Sequence, residues 1–110
     1  MTCEAWDIVT VPFPFTDRAT LKRRPALVLS QKNFNRHGQS LMAMITSASH
    51  PRWPGDSPLT DLTAAGLSRP CVVRLKLFTL DNRLILKRIG RLAGADKDRV
   101  AHALRAILPS

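Results

Sequence analysis

Hydrophobic and polar residues alternate over two long stretches of this 110-residue chain, and a period of two is typical of β-strands. In residues 7–15, one side of the pattern carries Val9, Val11, Phe13 and Phe15. In residues 71–79, Val73, Leu75 and Leu77 point one way, and Arg74, Lys76 and Phe78 point the other. Pro12 and Pro14 cannot donate hydrogen bonds to a neighbouring strand, so the first strand should end at a sheet edge or leave the sheet.

Shorter apolar runs predict three more strands, at residues 25–30, 41–46 and 84–92. Gly90 indicates a bulge or a close backbone approach in the last of them. Residues 31–38 predict a turn with one helical turn around Phe34, and the prolines and glycine of 50–57 predict a loop. Residues 59–67 are ambiguous, and one reading is a short strand followed by a turn at Gly66.

The chain ends in a predicted helix that begins at Asp96 as the N-cap. Its apolar face contains Val100, Ala103, Leu104, Ile107 and Leu108, and this face should seal the core rather than stay exposed. Five or six short strands with one terminal helix predict a mainly β fold, in the form of a small, strongly bent sheet or barrel. We expect a single domain over residues 1–110.

Composition adds a large positive charge to this picture. Seventeen Lys and Arg residues against eight Asp and Glu residues give a net charge of +9, which favours a polyanionic partner such as nucleic acid over a charge that serves only solubility. The sequence has no apolar run of the ~20 residues that span a bilayer, and residues 1–6 do not resemble a signal peptide. These features predict a cytoplasmic protein without a membrane segment.

The sequence lacks the familiar enzyme motifs: it has no glycine-rich phosphate loop, no paired-histidine zinc motif and no nucleophile elbow. Cys3 and Cys71 lie far apart without metal-ligand spacing, so we expect free thiols, with Cys71 as a small core residue; a disulfide stays open as the alternative. The prediction is a site that uses neither metal nor cofactor.

The candidate chemistry lies at strand ends. Pro25 restricts Arg24 to extended geometry, which can hold its guanidinium at a fixed angle toward an anion. Thr46 closes the third predicted strand, and Arg74 and Lys76 share one face of the 71–79 strand. If these residues meet at one mouth of the sheet, they form a pocket for a phosphodiester. Taken singly, Arg24 is equally compatible with a surface ion pair and Thr46 with a hydroxyl that caps its own backbone.

Other residues near these strands have two readings. Residues 16–23 suggest a flap whose Lys22 and Arg23 grip phosphates, or else a solvated run of charge. Trp53 is suited to stacking on a base, but we favour a position beneath its own loop, against Pro51 and Pro54. His50 follows a cluster of hydroxyl residues and is a candidate for the site, because histidine transfers protons near neutral pH. His37 and His102 are interpreted as loop and helix-surface residues.

Four segments resemble the MazF/PemK family of toxins from type II toxin–antitoxin systems. They are residues 7–17 (DIVTVPFPFTD), 22–30 (KRRPALVLS), 45–47 (ITS) and 70–80 (PCVVRLKLFTL). The resemblance implies an SH3-like barrel that forms a homodimer. It also implies a metal-independent endoribonuclease that cuts single-stranded RNA at short sequences, leaving a 2′,3′-cyclic phosphate and a 5′-hydroxyl. It further implies a cognate antitoxin whose acidic, disordered segment folds on the toxin.

Residue by residue, the resemblance places the family's catalytic arginine at Arg24 and its strand-end threonine at Thr46. Arg74 matches an arginine that some members use on the fifth strand. Those members carry an aspartate two residues later, where this chain has Lys76, so the proton acceptor is left open among Asp17, His50 and Asp81. The expected RNA-binding residues are Lys22, Arg23, Asp17, Ser47, His50 and Lys76.

Two other functions remain open at this point. One is a non-catalytic module on the same barrel, which binds nucleic acid or titrates an antitoxin. The other is a toxin of the same fold that traps DNA gyrase, although that reading leaves the pairing of Arg24 with Thr46 unexplained.

Overall fold

The computed structural model describes residues 1–13 and 22–109, and an antiparallel sheet dominates it. Along the chain the elements are β1 (Asp7–Phe13), β2 (Lys22–Val28), α1 (Lys32–Asn35), β3 (Gln39–Ser47), β4 (Ser57–Pro58), α2 (Leu62–Ala65), β5 (Cys71–Asp81), a 3₁₀ turn (Asn82–Leu84), β6 (Lys87–Arg91) and α3 (Gly94–Ile107). The strand order is β4-β5-β3-β2-β1-β6. This curled sheet with a C-terminal helix confirms the predicted mainly β, SH3-like fold.

Strand β1 is paired on both sides over only part of its length. It pairs with β2 from Ile8 to Phe13, whereas β6 reaches only from Asp7 to Thr10. Pro12 therefore lies beyond the end of β6, where β1 becomes an edge, as its proline content predicts. Pro14 and Phe15 lie outside the described residues.

Strand β2 differs from its prediction at both ends. It begins at Lys22 rather than Pro25 and ends at Val28 rather than Ser30. Lys22 and Arg23 lie in the strand, opposite Phe13 and Pro12, and not in the flap that was predicted for residues 16–23. Arg24 lies opposite Val11. The physical reason is that β1 places a residue opposite each of these positions, which propensity and charge along one strand do not reveal. The remainder of the predicted flap, residues 16–21, lies outside the described part of the chain.

The sheet is buried on both faces, so the fold has two apolar clusters. One cluster joins Ile8, Leu27, Ile45 and Val73 of the sheet to Val100 of α3. The other lies on the opposite face and contains Val9, Val11, Ala26, Val28 and Met42, together with Cys3, Leu80 and Ile85. Because Arg24 and Ala26 are two residues apart on one strand, Arg24 emerges at the margin of this second cluster.

The ambiguous region 59–67 contains a helix instead of a strand. Asp61 caps α2 by accepting a hydrogen bond from Ala64 N at 3.1 Å, and Gly66 ends the helix at φ 73°. This confirms the turn at Gly66. A bulge at Ile89 and a tight approach of α2 account for Gly90, where a Cβ atom would lie 2.3 Å from the carbonyl carbon of Ala65.

Helix α3 begins earlier than predicted and is not capped by Asp96. Its N-cap is Ala93, and the buried Asp96 side chain instead accepts hydrogen bonds from Thr60 and from the Asp61 backbone at 2.7–3.0 Å. Burial alone would raise the pKa of the Asp96 carboxyl, but these hydrogen bonds bring it below its ordinary value. Asp96 thus ties the helix to the segment before α2.

The apolar face of α3 is only partly covered, contrary to the prediction. Val100 is buried, but Ile107 and Leu108 at the C-terminal end are 54% and 49% exposed. The periodicity of a helix shows which residues share a face, but not how far along the helix that face is covered. None of the helices in residues 1–13 and 22–109 is long and apolar enough to cross a membrane.

Candidate functional site

Arg24 and Thr46 come together at one end of the sheet. Strands β2 and β3 pair Ala26 with Met44, and Arg24 and Thr46 each lie two residues beyond this pair, at the same end of the sheet. Residues two apart share a face, so both side chains emerge on the side of the second apolar cluster. They line a common cavity of ≈560 Å³. The full lining is Lys22, Arg23, Arg24, Pro25, Ile45, Thr46, Ser47, Arg69 and Cys71.

This cavity is strongly cationic. Four of its lining residues, Lys22, Arg23, Arg24 and Arg69, carry a positive charge, and no acidic residue of the described chain lines it. Arg24 is exposed, makes no ion pair with another described residue, and lies 5.7 Å from the centroid of the Phe13 ring. Guanidinium and ammonium groups grouped in this way are suited to binding phosphate oxygens.

The hydroxyl of Thr46 pairs with a histidine rather than with its own backbone. The chain turns back directly after β3, with Ala48 N donating to Pro70 O at 3.0 Å and His50 N donating to Ser47 O at 3.2 Å. This turn brings His50 Nδ1 to 2.7 Å from Thr46 Oγ1. His50 also lines a second, smaller hollow of ≈260 Å³ with Ala48, Arg52, Asp56, Pro58 and Val72. Thr46 therefore lies between the two hollows.

Ser47, the next residue on β3, also lines the cationic cavity. Its Oγ lies 2.8 Å from Ser49 Oγ and accepts a hydrogen bond from Ser49 N at 3.2 Å. These contacts stabilise the turn that carries His50.

Arg74 does not line the cavity of Arg24 and Thr46, although the sequence had suggested a shared mouth. Its Nε and Nη2 donate to Asp56 at 3.2 and 2.9 Å, and Nη2 also donates to Pro51 O at 2.8 Å. Burial would raise the pKa of the Asp56 carboxyl, but the hydrogen bonds from Arg74 and from Trp53 N hold it below its ordinary value. With its side chain only 12% exposed, Arg74 fixes the loop of residues 48–56.

Trp53 and Lys76 form an exposed platform beside this loop. Trp53 is 42% exposed, instead of packed beneath its own loop as we had favoured. Lys76 Nζ lies 4.8 Å from the centroid of its ring, and the Arg74 guanidinium lies at 5.9 Å. Lys76 and Arg74 of β5 hold the Trp53 ring at the surface. The sequence did not predict this contact, because it forms only when the loop folds against β5.

Of the two candidate proton acceptors that the structure describes, His50 and Asp81, only His50 lies beside Thr46. Asp81 pairs with Gln39 at the opposite end of β3 and holds Arg83 at 2.9 Å, so the strand separates it from the cavity. Asp17 lies outside the described residues. Among the described candidates, His50 is in direct contact with Thr46.

Sequence reasoning missed two residues of the cavity, Arg69 and Cys71. Cys71, expected as a small core residue, packs against the first apolar cluster but is only half-buried. It pairs with Ser47 of β3 and lines the cavity, and partial burial raises the pKa of its thiol. The pairing of β5 with β3 was the signal that could have located both residues, since Thr46 lies opposite Val72. Within residues 1–13 and 22–109, no group of three His, Cys, Asp or Glu side chains could hold a metal ion.

The chain belongs to the family of PemK-like, MazF-like toxins of type II toxin–antitoxin systems, whose family model matches residues 4–108. No curated protein matches its sequence significantly.

Solved structures show the same fold at low sequence identity. The MazE–MazF complex of Deinococcus radiodurans has a TM-score of 0.76 and 23% identity over 97% of this chain and 96% of that chain. The Mycobacterium tuberculosis toxin MazF-mt6 has a TM-score of 0.72 and 22% identity over 91% and 93%. An endoribonuclease in complex with its cognate antitoxin, from Mycobacterial species, has a TM-score of 0.72 and 15% identity over 99% and 97%.

Proposed function

We propose that this toxin is an endoribonuclease that cuts single-stranded RNA in the cytoplasm without a metal ion, leaving a 2′,3′-cyclic phosphate and a 5′-hydroxyl. Membership of the toxin family supports the general class. The observation that carries the proposal is the cavity that Arg24 and Thr46 line together with three further cations. The match over residues 4–108 supports a single toxin domain spanning residues 1–110.

The proposed reaction needs little from the protein beyond charge and position. The ribose 2′-hydroxyl attacks its own neighbouring phosphorus, so the nucleophile comes with the substrate. Arg24 binds the non-bridging oxygens, whose negative charge grows in the transition state, and Thr46 donates a hydrogen bond to one of them. A guanidinium keeps its proton in proteins, so Arg24 is assigned charge stabilisation and not acid catalysis.

We assign the surrounding residues to phosphate binding, base stacking and positioning. Lys22, Arg23 and Arg69 would bind backbone phosphates on either side of the cut, and Ser47 adds a hydroxyl to the cavity wall. The exposed Trp53 ring beside Lys76 is suited to stacking an unpaired base, which favours single-stranded RNA over a duplex. Arg74 is assigned a positioning role, because its guanidinium is bound to Asp56.

We also propose a homodimer that is inhibited by a cognate acidic antitoxin. Two of the similar structures are toxin–antitoxin complexes. A chain of net charge +9 attracts an acidic peptide for the same reason that it attracts RNA, so one cationic cavity would serve both partners.

Arg24→Ala tests the proposal directly. Purified wild-type and variant proteins are incubated with single-stranded RNA in EDTA, and the ends are mapped. We expect wild-type cyclic phosphate ends and a variant rate lower by about 10²–10³-fold, because the variant lacks one transition-state donor. The matched control is Arg36→Ala, which removes an equal charge beside α1, at the opposite end of β3, and should cleave normally.

The same assay distinguishes the proposed endoribonuclease from the two alternative functions. RNA that is shifted in a gel but left intact indicates a binding module, and no RNA interaction together with topoisomerase inhibition indicates a gyrase-directed toxin. Normal cleavage by Arg24→Ala would contradict the assignment of Arg24.

A further inference from the structure

Thr46 stands between two hollows of different chemistry. On one side lies the cavity with Lys22, Arg23, Arg24 and Arg69. On the other lies the smaller hollow that His50 lines, with Arg52 and Asp56. A phosphate bound at the Thr46 hydroxyl would therefore have the cations on one side and an imidazole on the other.

We propose that His50 accepts the proton of the attacking 2′-hydroxyl, and that RNA crosses Thr46 with the attacking ribose on the His50 side and the leaving nucleotide on the Arg24 side. This inference rests on the proposed function, and it adds the proton acceptor and the direction of the RNA strand. It follows from displacement at phosphorus, in which the attacking and leaving oxygens lie in line on opposite sides. The base must then be on one side, and the cations that accommodate the leaving oxygen on the other.

The hydrogen bond between His50 and Thr46 gives each group its role. With Nδ1 as the donor to Thr46 Oγ1, the hydroxyl proton of Thr46 is free to bind a phosphate oxygen. The opposite nitrogen, Nε2, then carries a lone pair, and it has no hydrogen-bond partner among the described residues. One contact thus orients both the phosphate donor and the base.

The atoms balance without a cofactor. The 2′-oxygen forms its bond to phosphorus while its proton moves to His50 Nε2, and the bond from phosphorus to the 5′-oxygen breaks. The leaving 5′-oxygen takes a proton from water beside the cationic cavity, and His50 afterwards returns its proton to solvent.

Charged groups surround His50 on both sides. Arg52 and Asp56 share its hollow, Arg74 holds Asp56, and Lys22, Arg23, Arg24 and Arg69 lie across Thr46. The pKa of Asp56 is below its ordinary value, so this carboxylate stays ionised throughout the neutral range. The pKa of the Cys71 thiol is raised by burial. Arginine and lysine keep their charge.

The test is the single-turnover cleavage rate between pH 5 and pH 9 for wild type, His50→Asn and the control His102→Asn, an exposed histidine of α3. We expect the wild-type rate to rise with pH as the base loses its proton, and then to level off. His50→Asn should lose about 10²–10⁴-fold and also lose this pH dependence. His102→Asn should match wild type. An unchanged pH dependence in His50→Asn would overturn the proposal, even with a raised KM.

Two further measurements separate a base from a structural residue. Free imidazole should restore cleavage to His50→Ala in proportion to its neutral form, a response that a purely structural role would not give. A substrate with sulfur as the leaving 5′ atom needs no proton donor, so it should leave the defect of His50→Asn in place. Recovery on that substrate would put His50 on the leaving side and overturn the proposed strand direction. No RNA cleavage by wild type would overturn the proposed function as well.

Discussion

Arg74 shows how a residue suited to catalysis by sequence is used differently by the fold. Its guanidinium is bound to Asp56 and to the Pro51 carbonyl, so it holds the loop that carries His50 and Trp53. Because the pKa of Asp56 is lowered, the carboxylate form of this pair is stable at neutral pH and is lost only as the pH falls toward about 4 and below. Arg74 therefore contributes to the site by positioning its neighbours.

This role predicts that Asp56→Asn and Arg74→Ala have similar effects. Either change releases the loop of residues 48–56, and we expect kcat/KM to fall by roughly 10- to 100-fold through misplacement of His50. The control is Asp81→Asn, which removes the salt bridge to Arg83 at the far end of β3. If Arg74 gripped RNA directly, Asp56→Asn would free its guanidinium, and unchanged or improved cleavage by that variant would contradict the positioning role.

At the residue level, sequence located Arg24 and Thr46 because each is marked locally, one by the following proline and the other by the end of a strand. The partner of Arg74 was not predictable in this way. Asp56 lies 18 residues earlier, directly before β4, and it meets Arg74 only because Ser57 of β4 pairs with Val73 of β5. No local feature of the sequence distinguishes Arg69. It reaches the cavity because β5, which begins two residues later, pairs with β3.

At the scale of elements, the sequence predicted which segments form strands better than it predicted where each element begins and ends or what it contacts. Period two located β1 and β5, but β2 begins at Lys22 because its cations pair with β1. Asp96 looked like an N-cap and instead accepts hydrogen bonds from Thr60 and Asp61, which lie 35–36 residues away. Contacts of this kind belong to the tertiary fold and leave no local pattern.

The close approach of α2 to β6 gives a prediction of its own. Gly90→Ala should lower the free energy of unfolding by about 3 kcal/mol, because the new Cβ would meet backbone atoms of Ala65 at 2.3–2.4 Å that cannot simply rotate away. Gly94→Ala is the matched control: nothing lies within 4 Å of its Cβ, so its left-handed backbone costs only about 1 kcal/mol. Urea unfolding of both variants measures the difference, and equal losses would rule out the contact.

At the scale of the whole molecule, the site is a property of the curled sheet. Three of its cations come from β2, its hydroxyls come from β3, and Arg69 and Cys71 come from the segment that leads into β5, so no segment of the chain forms it alone. The net charge of +9 draws polyanions to the molecule, and the cavity gives them one place at which a guanidinium and a hydroxyl lie together.

A double-mutant cycle on Arg24→Ala and Thr46→Val tests whether these two groups act on one phosphodiester. Single-turnover RNA cleavage in EDTA is measured for wild type, both single variants and the double variant, with thermal unfolding as the check on folding. Groups that stabilise the same transition state are not additive, so we predict that the double variant is only slightly slower than the slower single variant. Losses that multiply in the double variant, or normal cleavage by either single variant, would contradict a shared site.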